Sequence, residues 1–303
     1  MVFFKKEKRL KEQNTPLTMF FKIVVIAFLF LYCVSLLLPL IWMLLTSGKD
    51  EIAYTLDNFG FPKVFHFSNY TDVLTKYLYV EQAGLRYGLD ALFLNSVIQS
   101  LGYATWGVLN IVVVAYVMSR YDFFGNKFLY NLGLILMVIP IVGSLPSAYK
   151  IFRMLGVYDN MLLLILTSSS APFSGMWFLI IYNSFKGIPK DFTEAAEIDG
   201  AGYYRIMIQI MLPMILPIAM TLWVLNFIAN WNNYSLPLIW APSYPNITYG
   251  MYKFQMGATG GGQGASLTII MAGFVCVMIP SILLYIGSQK ILNSNFVTGG
   301  IKL

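Results

Sequence analysis

Apolar residues in this chain are gathered into long runs separated by polar islands. Six runs approach or exceed the roughly 20 residues that a helix needs to cross a bilayer. They cover 19–45, 91–118, 128–149, 161–185, 213–231 and 267–291. The pattern predicts an all-α membrane protein with six transmembrane helices, since a helix satisfies its own backbone in lipid. Proline interrupts two of them: Pro140 and Pro146 in the third, Pro172 in the fourth. Beside Pro172 run Thr167-Ser168-Ser169-Ser170-Ala171, with Ser174 and Gly175 beyond. Small residues let helix backbones approach closely, and hydroxyls satisfy carbonyls that a proline frees. The cluster fits close helix packing, and a mobile kink is the other reading.

Composition sharpens the class. Of 303 residues, 58% are hydrophobic and 11% charged, against about 25% charged in soluble domains. The net charge of +6 does not point to nucleic acid, because the basic residues form no stripe with interleaved aromatics. They report orientation instead. Lys5, Lys6, Lys8, Arg9 and Lys11 precede the first run and place segment 1–18 in the cytoplasm. Arg120, Lys127, Lys186, Lys190 and Arg205 then fall in inner connections. Seven of the 20 basic residues face outward, four of them in the single long connection 46–90. Both termini come out cytoplasmic, and 19–303 reads as one membrane domain.

Little other chemistry is visible. Cys33 and Cys276 sit inside apolar runs and fit buried thiols. His66 is a lone histidine in a polar loop, so no metal is expected. The N-x-S/T triplets at Asn69, Asn233 and Asn246 are read as chance. The outer connection 46–90 is polar and mixed, long enough for a small amphipathic helix or a docking surface. The second long outer connection, 232–266, is rich in Pro, Tyr and Gly; its glycines 257–264 lack the lysine of a phosphate-binding loop and read as a flexible loop or a docking element.

No Asp, Glu, Arg or His lies near the centre of any run. Such charges cost about 2.5 to 3.5 kcal/mol at the bilayer centre and are kept mainly for function. Their absence argues against an ion-coupled secondary carrier, which would also work without ATP or partner chains. No constellation for a membrane enzyme is present. Amides occur instead: Asn95, Gln99 and Asn110 in the second run, and Asn226 and Asn230 in the fifth, followed by Trp231 and Asn232. Amides donate and accept hydrogen bonds, and aromatic rings stack on sugar faces, so these residues suit the passage of a neutral, hydroxyl-rich solute. Interhelical hydrogen bonding and aromatic anchoring at the interface are the other reading, and the leading one for any single residue. Asn226 and Asn230, four apart, share one helix face.

The polar island at 186–212 carries the sharpest signal. Pro189 suits a first helical turn, Asp191, Glu194 and Glu197 add negative charge, and Ala195 and Ala196 favour helix. Asp199-Gly200 stops that helix, because glycine accepts a left-handed backbone. A second short helix follows, with Ile206, Met207 and Ile210 on one side, and Leu212-Pro213 ends it and opens the fifth span.

The fixed positions Glu194-Ala195-Ala196, Gly200, Ile210 and Leu212-Pro213 match E-A-A, three residues, G, nine residues, I, one residue, L-P. This resembles the EAA motif of permease subunits of ATP-binding-cassette importers. The fuller string, Ile188-Pro189 through Asp199-Gly200-Ala201, is similar to their carbohydrate branch. So are Asn95-Ser96, Ala115-Tyr116 with Arg120-Tyr121, Trp231-Asn232 and Pro280, whereas the ending from Phe296 is only a loose version. The resemblance implies a sugar importer with a second homologous permease subunit, two ATPase subunits, an extracytoplasmic solute-binding protein and a lipid bilayer as its partners, and no cofactor in this chain. Glu194, Ala195, Ala196, Asp199, Gly200, Ala201, Ile210, Leu212 and Pro213 would couple to the ATPase; Asn95, Asn110, Asn226, Asn230, Trp231 and Asn232 would line the pathway. A permease of the same superfamily for a phosphorylated polyol or a charged oligosaccharide is the alternative.

Overall fold

The structure is a computed structural model that describes residues 16–82, 84–139, 143–168, 171–259 and 265–298. The basic block before residue 16, Pro140, Ser169, Ser170, glycines 260–264 and the tail from 299 lie outside the described residues. The helices in chain order are α1 (Pro16–Ser47), α2 (Glu51–Leu56), α3 (Ser68–Asp72), α4 (Leu89–Arg120), α5 (Asn126–Val138), α6 (Leu145–Met154) and α7 (Met161–Thr167). They continue with α8 (Met176–Lys186), α9 (Asp191–Ile198), α10 (Tyr203–Arg205), α11 (Leu212–Trp231), α12 (Ile247–Thr259) and α13 (Leu267–Thr298).

Among the described residues, four helical stretches are long and apolar enough to cross a membrane: Pro16–Ser47, Leu89–Arg120, Tyr203–Trp231 and Leu267–Lys290. The third and fourth expected spans are each divided. α5 stops at Val138, and Ile139 is extended at φ −75°, ψ 114°, as the residue before a proline must be. α7 and α8 are separated around Pro172, and α8 starts only after Gly175 turns the chain at φ +92°. At Gly133 a Cβ would strike the Phe173 carbonyl oxygen, so α5 and this bend touch backbone to backbone. Of the cluster's described hydroxyls, Thr167, Ser168 and Ser174 donate to the carbonyls of Leu163, Ile165 and Ala171, which satisfies backbone groups near the break.

α4 lies at the centre, packed on α8 and α11, while α13 packs on α1 and α11. α1 is exposed along almost its whole apolar length, which only apolar surroundings tolerate. Buried residues form two main clusters, one near each end of α4. The first joins Leu92, Trp231, Tyr249, Met251 and Ile270. The second joins Val112, Tyr116, Phe185, Ala196, Ile206 and Ile215.

The all-α expectation needs one correction. The connection between α1 and α4 contains an antiparallel hairpin, β1 (Val80–Gln82) and β2 (Leu85–Tyr87), with Val80 opposite Tyr87. Three-residue strands are too short to show an alternation in sequence. This connection is also well tied down. Lys49, 2% exposed, donates to the Asp57 carbonyl at 2.6 Å. Asn69 donates to the carbonyls of Ser47 and Lys49 at 2.9 and 2.7 Å. Backbone N–H groups of Gly60 and Phe59 donate to the Asp57 carboxylate and hold its pKa below the usual value. The second long connection contains α12, whose Ile247, Tyr249, Met251 and Phe254 are buried.

Candidate functional site

The polar island folds as a bent pair of helical segments. α9 ends in a Schellman motif, the reciprocal cap that a left-handed glycine allows. Gly200 has φ +76°. Its N–H donates to the Glu197 carbonyl at 3.0 Å, and the next N–H, of Ala201, donates to the Ala196 carbonyl at 2.9 Å. Ala196, 7% exposed, belongs to the buried cluster at this end of α4, and Ala201 packs against the same cluster. Gly200 is glycine because the backbone turns left there. Asp191 and Glu194 lie in the first turn of α9, where carboxylates are favoured by the helix dipole.

The second segment departs from expectation. α10 is only three residues long, and the chain then passes through a π-turn, Ile206–Met211, straight into α11. Leu212-Pro213 does not end a helix. The Leu212 N–H bonds back five residues to the Met207 carbonyl, and this wider register accommodates Pro213, which has no N–H and crowds the preceding turn. Ile206 and Met211 are fully buried, and Met207, Ile210 and Leu212 pack against the same cluster. Glu194, Ala195, Asp199 and Pro213 are exposed. Around Glu194 the exposed surface also carries Phe192, Ile198, Tyr203 and Tyr204, of which Ile198 and Tyr204 are over four-fifths exposed, at 86% and 82%.

One residue that holds this elbow was named from sequence only as an inner cation and as part of a family string, with no role at the elbow. Arg120, the last residue of α4, sends its guanidinium to the Phe185 carbonyl and, at 2.8 Å, to that of Ile188. These carbonyls lie at and just beyond the end of α8, where a cation is favoured. Tyr116 packs edge-on against Phe185, and Tyr121 against Tyr203. The Ala115-Tyr116…Arg120-Tyr121 string thus forms the seat of the elbow. Two buried polar atoms here, Arg120 Nε and Thr193 Oγ1, have no hydrogen-bond partner among the described residues.

The amides of the second and fifth runs separate into groups. Asn95 donates to the Pro245 carbonyl at 2.9 Å, and Gln99 to that of Tyr244 at 2.8 Å. Asn246, 1% exposed, donates to Gln99 Oε1 and to the Asn233 carbonyl, and accepts from Tyr249 N–H. Ser96 Oγ accepts from Ile247 N–H. Asn95 is therefore part of a buried clamp that fixes the start of α12 on α4. Its other members, Gln99 and Asn246, were legible only as polar residues in apolar or loop surroundings. The burial of Asn69 and Asn246 is incompatible with glycosylation of their triplets. Trp231 is 1% exposed, donates to the Val277 carbonyl at 3.1 Å, and packs on Phe93 and Phe227. Its rings are taken up by packing. Asn232 is exposed and bonds within its own helix turn, to Ile228 O. Asn110 donates to the Trp106 carbonyl. Asn226 and Asn230 do share a face: Asn230 Nδ2 donates to Asn226 Oδ1 at 2.6 Å, and both remain partly exposed. These two, Asn110 and Asn232 take no part in the clamp.

A family model described as the binding-protein-dependent transport system inner membrane component matches residues 107–297, which contain the elbow, Arg120 and the Asn226–Asn230 pair. The chain belongs to this family. Two relatives match over most of both chains. The diacetylchitobiose uptake system permease protein of Streptomyces coelicolor is 28% identical over 268 residues, covering 87% of this chain and 83% of its own. The arabinooligosaccharides transport system permease protein of Halalkalibacterium halodurans is 26% identical over 294 residues, covering 97% and 100%. Among solved structures, a chain from a bacterial ABC transporter involved in import of the acidic polysaccharide alginate superposes with a TM-score of 0.75 at 22% identity, over 91% of this chain and 98% of that one. At that identity the likeness establishes the fold. The chain is thus an inner-membrane component of a transport system, with the fold of an importer subunit.

Proposed function

We propose that this inner-membrane component is a permease subunit of an ATP-binding-cassette importer for a sugar or oligosaccharide. In this reading the chain crosses the bilayer six times, with the proline-divided third and fourth runs completing the passes, and both termini are cytoplasmic. Residues 19–303 act as one permease domain, paired with a second, similar permease, two ATPase subunits and an extracytoplasmic solute-binding protein. The relatives named for diacetylchitobiose and arabinooligosaccharide uptake support the solute class.

The observation that carries the proposal is the elbow at Gly200. A short acidic helix is capped left-handed, seated by Arg120, and presents Glu194, Ala195, Ile198 and Tyr204 to the exterior. A surface that mixes the exposed carboxylates of Asp191, Glu194, Glu197 and Asp199 with exposed apolar residues suits a protein partner. Glu194 pairs with a basic group of the ATPase, and movement of the ATPase pair is passed through α9 into the helices above. Asn226, Asn230 and Asn110 offer donors and acceptors to a hydroxyl-rich solute. Cysteine crosslinking from position 194 in the assembled transporter tests the coupling role, together with ATPase assays against a panel of saccharides. Crosslinks to the ATPase and saccharide-stimulated hydrolysis are expected. An elbow that labels from the outer side of the membrane would refute the proposal.

A further inference from the structure

Where α4 finishes, a cleft of about 470 Å³ opens between the end of α4, the start of α5 and the end of α8. Arg120, Lys127, Lys186 and Lys190 line it, with Asp122 as its one carboxylate. Four cations thus face one anion. None of the four makes a salt bridge among the described residues. Arg120 is held in place by the Phe185 and Ile188 carbonyls, and the Lys186 ammonium stands 5.6 Å above the Tyr182 ring. The cleft therefore concentrates positive charge that the protein itself leaves unneutralised.

A second cleft adjoins it. It runs along Asp122 to Phe128 and shares Asp122, Asn126 and Lys127 with the first. Its walls are aromatic: Phe124 is fully exposed and Phe128 is 68% exposed. Bare phenylalanines beside a basic cleft, at the level where an apolar helix ends, form an amphiphilic site. The cationic part matches a phosphate and the aromatic part matches a hydrocarbon chain.

We infer that this double cleft binds the phosphate headgroup of an anionic phospholipid, with an acyl chain lying along Phe124 and Phe128. A free phosphate shares the headgroup chemistry, but it gives no reason for the exposed phenylalanines. The inference rests on the proposed function only in assigning this end to the cytoplasmic leaflet.

The test is native mass spectrometry of the assembled transporter, released from nanodiscs containing equal phosphatidylglycerol and phosphatidylcholine. Preferential retention of phosphatidylglycerol is expected. Each basic residue near an anionic surface contributes about fivefold in affinity, so Lys127→Gln with Lys186→Gln should lower that retention on the order of tenfold or more. Both lysines are exposed, and an unchanged melting temperature checks that the variant folds. Phe124→Ser with Phe128→Ser should lower phosphatidylglycerol retention as well. Equal retention of the two lipids by the unaltered protein overturns the inference. So does displacement of the lipid by millimolar inorganic phosphate that is indifferent to the phenylalanine substitutions, which would mark a site for a soluble anion. ATP-driven uptake is measured in parallel. A transporter that imports but shows no lipid preference refutes this inference alone, and one that prefers the lipid but does not import refutes the proposed function alone.

Discussion

Substitution of Gly200 separates two reasons for a glycine at the elbow. One is the backbone: φ is +76°, a region that costs an ordinary L-residue about 1 to 2 kcal/mol. The other is room for an approaching partner surface. Within the chain itself a Cβ at Gly200 would meet nothing within 4 Å, so steric strain from the fold adds nothing. Gly200→Ala should therefore weaken the cap by about 1 to 2 kcal/mol, a factor of roughly 5 to 30 in the population of the bent form. Gly200→Asn should fall between alanine and glycine, because asparagine tolerates the left-handed region. Hydrogen exchange at the Gly200 and Ala201 amides, both donors in the cap, reads the local effect. ATP-driven uptake by the reconstituted transporter reads its consequence. The backbone argument orders uptake as Gly, Asn, Ala. If asparagine is worse than alanine, a partner surface closes on this position and the conformational argument is wrong. If alanine exchanges no faster than glycine, the cap does not hold the elbow.

Two further substitutions follow from the packing. Arg120→Met removes guanidinium bonds to two carbonyls at the root of the elbow; hydrogen bonds to a charged group are worth about 1.5 to 3 kcal/mol, so the melting temperature should fall and exchange at the Gly187 and Ile188 amides should rise. Lysine should restore only part of this, since an ammonium lacks the planar fork, and unchanged exchange in the methionine variant would remove the seating role. Trp231→Phe should cost about 1 to 3 kcal/mol through the lost Val277 bond and a smaller ring, with the KM for uptake unchanged; a raised KM at unchanged thermal stability would return Trp231 to the passage.

The four long helices were legible because each is an apolar run well beyond ordinary core length. The elbow was legible for a different reason: a left-handed cap nearly requires glycine, so Asp199-Gly200-Ala201 marks its own geometry. Where the reading failed, the cause is a contact distant in sequence or a local rule that tertiary structure absorbed. Leu212-Pro213 looked like a helix stop, but a π-turn takes up the proline and the helix continues. α12 was hidden in 232–266 by Pro245, Gly250 and Gly257, although Gly250 packs its bare face against Leu92. The role of Arg120 depends on carbonyls 65 and 68 residues away. The Asn95, Gln99 and Asn246 clamp spans about 150 positions. Residue type alone left these amides divided between clamp and passage.

The clamp and the seat are made by opposite ends of the same helix. α4 has 32 residues, and at 1.5 Å per residue it is about 48 Å long. Near its start it is bonded to the chain before and within α12 through Asn95, Ser96 and Gln99. At its last residue it is bonded to the root of the elbow through Arg120. The covalent route from the elbow into the membrane is α11, but that helix is entered through a π-turn and carries Pro217 in its interior. α1 and α13 carry Pro39 and Pro280. α4 alone among the four long helices has no internal proline, so its hydrogen-bond ladder is unbroken where the others have missing donors. On the proposed coupling role, α4 is therefore the stiffest of the four long helices for passing a displacement of the elbow root to the clamp at its other end. On the proposed function, that places the start of α12, and not only the helices beside the solute, among the elements that move when the ATPase closes.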